Sequence, residues 1–143
     1  MFTSVLLPID LGQESSWERA LPAAERIAKD YGAKLTIMSV VPSFGLPAVS
    51  QYFPKDFEKK AEKAAAQALK DFVAEHCADP SAVKLHLAQG TIYDEILQYA
   101  DKIKCDAIVM GSHRPALQDY LLGPNAARVV RHAKQSVFVV RPT

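Results

Sequence analysis

The chain has 143 residues, enough for one domain that buries roughly two thirds of the surface its unfolded form exposes. Its 17 Lys and Arg against 16 Asp and Glu leave a net charge of +1, so no global field favours nucleic acid or an anionic membrane surface. With 49% hydrophobic and 23% charged residues the composition is that of a soluble globular protein, and no apolar run approaches the roughly 20 residues of a membrane helix.

The amino terminus, MFTSVLLPID, lacks a basic leader and meets Pro8 and Asp10 too early for a signal peptide. Residues 4–10 form a nearly continuous apolar run, the pattern of a strand covered on both faces. Pro8 cannot donate to a ladder and belongs where pairing ends, and Asp10 falls just past the strand's carboxyl end. Ser15 or Ser16 is suited to cap a helix over 17–31, in which Ala20, Ala24, Ile27 and Ala28 follow helical spacing and which Gly32 ends.

The run KLTIMSVV, 34–41, is the second strand, closed by Pro42. Residues 42–54 carry three prolines, a glycine and the anchors Phe44, Leu46, Tyr52 and Phe53, which predicts an irregular crossover packed on its own aromatics, long enough to serve as a lid or a partner surface. A helix is predicted over 57–76 and a strand over 83–88, with His86 solvated on the face opposite Val83, Leu85 and Leu87. Gly90 precedes Thr91-Ile-Tyr-Asp94, a start resembling a capping box with Asp in place of Glu or Gln, and Ile92, Ile96, Leu97 and Ala100 make the apolar face of that helix.

The stretch around which the chain is organised, GSHRPALQDYLLGPN, follows the β-branched run 106–110 and precedes a helical segment, 126–133. This is a strand, a loop opened by Gly111, and a helix started at Gly123-Pro124-Asn125. Ligands of open parallel sheets bind outside the strands' carboxyl ends, and a helix start presents unpaired N–H groups to an anion. Gly111 and Gly123 are therefore candidate jaws of a phosphate site, although both are also ordinary punctuation at a strand exit and a helix entry. His113 is a candidate phosphate contact or a plain loop residue, whereas His132 suits the carboxyl end of its helix. Arg128 and Arg131 read as a solvated face, and residues 136–141 are the last strand.

Strands alternate with helices throughout, which predicts a single α/β domain, a parallel sheet with helices on both faces and right-handed crossovers. Cys77 and Cys105 lack the spacing of a zinc or redox pair and read as free thiols in a reducing cytoplasm. No nucleophile stands at a recognisable spacing from a base, no metal cluster is evident, and no Ser-Gly-Gly loop follows the first strand.

The segments LLPID, SVV, GT-x-x-DEI and VMGSHRPALQDYLLGPNAARVVRHAKQSVFVVR together resemble the universal stress protein family over the whole chain, in order and in spacing. The resemblance implies a five-stranded parallel sheet of order 3-2-1-4-5, of the adenine-nucleotide-hydrolase-like kind, in a cytoplasmic protein that dimerises. It further implies ATP or a related adenine nucleotide, with or without Mg²⁺, as ligand. Carried over residue by residue, Asp10 would contact the adenosine moiety beside Pro8, and Val40 would meet the adenine edge through its backbone. Met110 and Gly111 would line the approach to ribose and phosphate, and Gly123 would let the chain come close to the phosphates.

The ATP-binding branch of that family resembles G-x2-G-x9-G-[S/T], and this chain departs from it: Gly111-x2-Arg114-x8-Gly123-Pro124. It is similar to a subgroup with a shorter GSHRP…LLG-x-N form. Pro124 supplies neither N–H nor hydroxyl, while Arg114 and Asn125 add donors. Two function classes follow. One is a regulatory nucleotide-binding protein with little turnover, and the other is an interaction module acting through its dimer surface or through residues 42–54. Enzymatic activity ranks third, as at most slow ATP hydrolysis. The terminal strand, apolar and at a sheet edge, is the expected homodimer interface.

Overall fold

The computed structural model describes residues 1–41, 57–112 and 124–141. Five strands, β1 (Ser4–Ile9), β2 (Lys34–Val41), β3 (Val83–Gln89), β4 (Ala107–Gly111) and β5 (Ser136–Val140), form one parallel sheet of order β3-β2-β1-β4-β5. Among the described residues four α-helices cover it: α1 (Ala20–Tyr31), α2 (Phe57–His76), α3 (Ile92–Lys102) and α4 (Pro124–His132). The predicted order is therefore the observed one.

The central strands carry continuous apolar runs because both of their faces are covered. Val5, Leu7, Ile37 and Val109 face a cluster closed by Ala20, Leu21 and Ala24 of α1 and Leu69, Phe72 and Val73 of α2. Leu6, Met38, Ile108 and Met110 face the opposite cluster, closed by Ile96 and Ala100 of α3 and Ala126 and Val129 of α4. Alternate residues of one strand thus anchor both layers, which is what fixes the register of the sheet.

The first helix begins three residues later than its apolar spacing suggests. Glu14–Ser16 forms a 3₁₀ turn, Arg19 is the N-cap of α1, and no side-chain cap bond is made there. Pro22 supplies the physical reason: its missing N–H is harmless only within the first turn of a helix. At the other end Gly32 adopts φ 63°, ψ 32°, the left-handed cap expected of glycine.

Three further expectations change in detail. Thr91 is the N-cap of α3 but makes no side-chain cap bond. His86 is half-buried, not solvated: its ring stacks on Tyr99 with centroids 3.6 Å apart and planes 1° from parallel. Burial lowers its pKa, nearby Lys102 reinforces the shift and Glu95 opposes it. Arg128 is exposed yet sits 4.7 Å over the Tyr93 ring, a cation–π contact joining α4 to α3. Cys77 and Cys105 are free and buried, and burial raises both thiols to about 11, so neither is poised to react.

Asp106 ties the start of the chain to the start of β4. Its Oδ1 accepts the Thr3 and Ser4 N–H groups at 3.1 Å each, and its Oδ2 accepts the Thr3 N–H at 2.9 Å and the Thr3 hydroxyl at 3.0 Å. Burial alone would raise this carboxyl, but those donors outweigh it and hold the pKa below the ordinary value. A depressed folded pKa gives stability that is present above the unfolded carboxylate range and lost as pH falls through the folded pKa. Asp106→Asn is expected to lower unfolding free energy by about 1 kcal/mol at neutral pH, discounted for partial exposure, and by less at pH near 3. Urea denaturation at the two pH values measures this, and an equal loss at both would contradict it.

Candidate functional site

The strand order reverses between β1 and β4, since β1 leads to β2 on one side and β4 leads to β5 on the other. In open α/β sheets such a reversal leaves a crevice at the strands' carboxyl ends. Here β1 pairs with β4 only at Val5–Ala107 and Leu6–Ile108, whereas its pairing with β2 continues through Pro8–Met38 to Ile9–Ser39. Pro8, which has no N–H to donate, therefore stands beyond the last pair with β4 but within the ladder with β2, so the expected end of pairing is met on one side only.

Asp10 follows directly and is exposed. Its Oδ1 accepts the Gly12 N–H at 2.9 Å, its carbonyl accepts the Gln13 N–H at 3.0 Å, and its own N–H donates to Ser16 Oγ at 2.9 Å. This is the tight Asx geometry to which aspartate is suited. It holds the carboxylate in the loop that leaves β1.

Val40 is half-buried one residue past the Ile9–Ser39 pair, and Met110 is buried at the end of β4. Both belong to the same cluster as Leu6 and Ala126, so the structure brings them to one face of the sheet. Gly111 pairs with Val140, and its lack of a side chain has a reason inside the protein. A Cβ there would lie 2.9 Å from the Ser16 carbonyl oxygen and 3.1 Å from that of Ser15. The 3₁₀ turn thus rests on the end of β4. Ser112, buried beyond it, donates its N–H to the Val140 carbonyl at 2.9 Å.

Pro124 is the first residue of α4, exposed, with Asn125 half-buried behind it and Ala126 buried in the core. The helix therefore starts two residues before its predicted segment, with proline at the position where a missing N–H is tolerated. His113, Arg114 and Gly123 lie outside the described residues, as do residues 42–54. Sequence reasoning missed the tertiary role of Ser16, which with Ser15 reads as one of two candidate helix caps. The signal for it was Pro22, which moves the start of α1 away from that serine.

A carboxylate past the end of β1, apolar side chains at the same ends of β2 and β4 and a helix start after β4 suit a ligand with a flat apolar body, hydroxyl groups and negative charge. Among the described residues no group of three or more His, Cys, Asp and Glu could hold a metal ion, and no helix is long and apolar enough to cross a membrane.

Strand order and two-sided helical cover define a doubly wound α/β domain. The sequence profile of the universal stress protein family matches residues 1–141, and the chain belongs to that family. It is 30% identical over 143 residues to universal stress protein G of Shigella flexneri, covering 99% of this chain and all of that protein. Among solved structures it is similar to universal stress protein UspA from Lactobacillus plantarum, with a TM-score of 0.73 and 27% identity over 98% of each chain. A universal stress protein solved in complex with cAMP has a TM-score of 0.61 and 27% identity, covering 99% of this chain and 98% of that one.

Proposed function

We propose that this protein is a regulatory stress protein that binds ATP or a related adenine nucleotide, with or without Mg²⁺, at the carboxyl ends of β1 and β4, with little or no turnover. The observation that carries this is the reversal of the sheet between β1 and β4, with Asp10 just past the carboxyl end of β1, Met110 and Gly111 at that of β4, Val40 at that of the neighbouring β2, and the start of α4 following β4. Support comes from a relative of the same fold and 27% identity that holds cAMP. In this reading Asp10 bonds the adenosine moiety beside Pro8, the Val40 backbone meets the adenine edge, and Met110 and Gly111 line the path to ribose and phosphate. His113, Arg114, Gly123, Pro124 and Asn125 border the phosphates. Two free buried thiols suit a reducing cytoplasm.

Losing one polar anchor in a preformed site removes about 1–3 kcal/mol, or roughly 5- to 150-fold in affinity. Asp10→Ala is therefore expected to weaken adenosine and ATP alike by that factor. Asp10→Asn, which keeps an acceptor for Gly12 N–H, separates the carboxylate's role from the turn's. Calorimetric titration of folded wild type and variants makes the test, and equal affinities would remove Asp10 from the site.

We also propose a homodimer through β5. That strand is a sheet edge, and Phe138 is 38% exposed there. Its ring meets Phe2 at 5.8 Å, and Phe2 meets Tyr31, 47% exposed, at 5.1 Å, which extends the edge into an apolar patch. Pairing β5 with its own copy covers both features. Sedimentation at tens of micromolar should give a dimer that Val139→Pro weakens, and a wild-type monomer would refute the proposal. The same patch favours the second reading, an interaction module without nucleotide, which gains if adenosine and ATP both fail to bind.

A further inference from the structure

We infer that Ser16 is a positioning residue for the nucleotide site, setting Asp10 against the end of β4; this rests on the nucleotide-binding reading above. The Ser16 hydroxyl accepts the Asp10 N–H at 2.9 Å, and the same oxygen lies 2.7 Å from the Gln13 carbonyl and 3.0 Å from the Asp10 carbonyl. One hydroxyl therefore closes the loop that leaves β1 back onto the residue that begins it. The backbone of Ser16 performs a second task, since its carbonyl oxygen presses on Gly111 so closely that a Cβ there would lie at 2.9 Å. The next residue, Trp17, is held by Phe72 and His76 of α2, with ring centroids at 4.9 and 4.5 Å.

The turn Glu14–Ser16 is thus fixed from three directions, and two of them are the strand ends between which the ligand is proposed to sit. The hydroxyl is not used for helix capping, because α1 starts after Arg19 with no side-chain cap bond. A serine at the start of a helical segment ordinarily reads as a cap. Here its oxygen serves the aspartate instead.

The test uses the full chain as wild type, Ser16→Ala, Ser16→Thr, Asp10→Ala and the Ser16→Ala/Asp10→Ala double variant, with adenosine as the probe. Ser16→Ala is expected to bind adenosine about fivefold more weakly and to exchange the Asp10 amide hydrogen faster, while Ser16→Thr, which retains the hydroxyl, preserves both properties. In the Asp10→Ala background the Ser16→Ala change should add less than about twofold, because the serine acts through the aspartate. A merely structural serine would instead lower stability, with rescue by threonine, but without this coupling to Asp10 in adenosine binding. Wild-type affinity in Ser16→Ala, unchanged Asp10 exchange, or additive losses in the double variant would each overturn this inference alone. A wild type that binds no adenosine would overturn the nucleotide reading and this inference with it.

Discussion

Gly111→Ala is expected to lower unfolding free energy by about 1–3 kcal/mol, the usual penalty of forcing an extra carbon into a packed site. The added Cβ would stand 2.9 Å from the Ser16 carbonyl oxygen and 3.1 Å from the Ser15 carbonyl oxygen. Both neighbours are backbone, so no side chain can swing aside, and the 3₁₀ turn has to lift off the end of β4. Because Ser16 also holds the Asp10 N–H, that displacement reaches the carboxylate, and adenosine affinity is expected to fall along with stability. Gly12→Ala is the control. Its Cβ would meet only Asp10 Oδ1, at 3.4 Å, an ordinary contact, and the loss should stay under about 1 kcal/mol. Urea denaturation of the three proteins decides the matter, and a Gly111→Ala midpoint equal to wild type would show that the turn is not seated as described.

Pro124→Ser is expected to tighten ATP binding about tenfold or better while leaving adenosine within about twofold. Proline is comfortable at the first position of α4, where its missing N–H has no partner inside the helix. A phosphate would use that same N–H, so fold and affinity pull in opposite directions at this residue. Serine restores the backbone donor and adds a hydroxyl, and one charge-assisted bond contributes roughly 1.5–3 kcal/mol before losses. The comparison between ATP and adenosine isolates the phosphate contribution. If calorimetry finds ATP unchanged, or adenosine improved equally, the start of α4 does not hold phosphate.

What could be read in advance, and what could not, follows from the range of the forces involved. The bounds of β2 and α2 agree with their periodicity because a covered strand and a long amphipathic helix each repeat one local pattern over many residues. Strand order came from the family resemblance, since alternation of strands and helices implies a parallel sheet without saying which strands are neighbours. Capping was less legible. Ser16 and Thr91 have the right chemistry to cap, yet a hydroxyl goes to whichever partner tertiary structure presents, and for Ser16 that is the Asp10 loop. His86 was assigned to solvent by strand alternation, which says which face a residue takes but not that Tyr99 of α3 covers that face. Within the site, the places of Pro8 and Asp10 followed from the end of one apolar run. The contact between Gly111 and the turn joins residues about a hundred positions apart, and no local pattern records it.

The central claim is that an adenine nucleotide sits at the carboxyl ends of β1 and β4, and amide chemical-shift mapping of the ¹⁵N-labelled protein during titration with ATP tests it most directly. The account predicts saturable shifts at Asp10, Val40, Met110, Gly111 and Asn125, with Ala78 and Lys104, in the connections that lead into β3 and β4, unmoved. No shift at millimolar ATP, or shifts gathered along β5 instead, would contradict it.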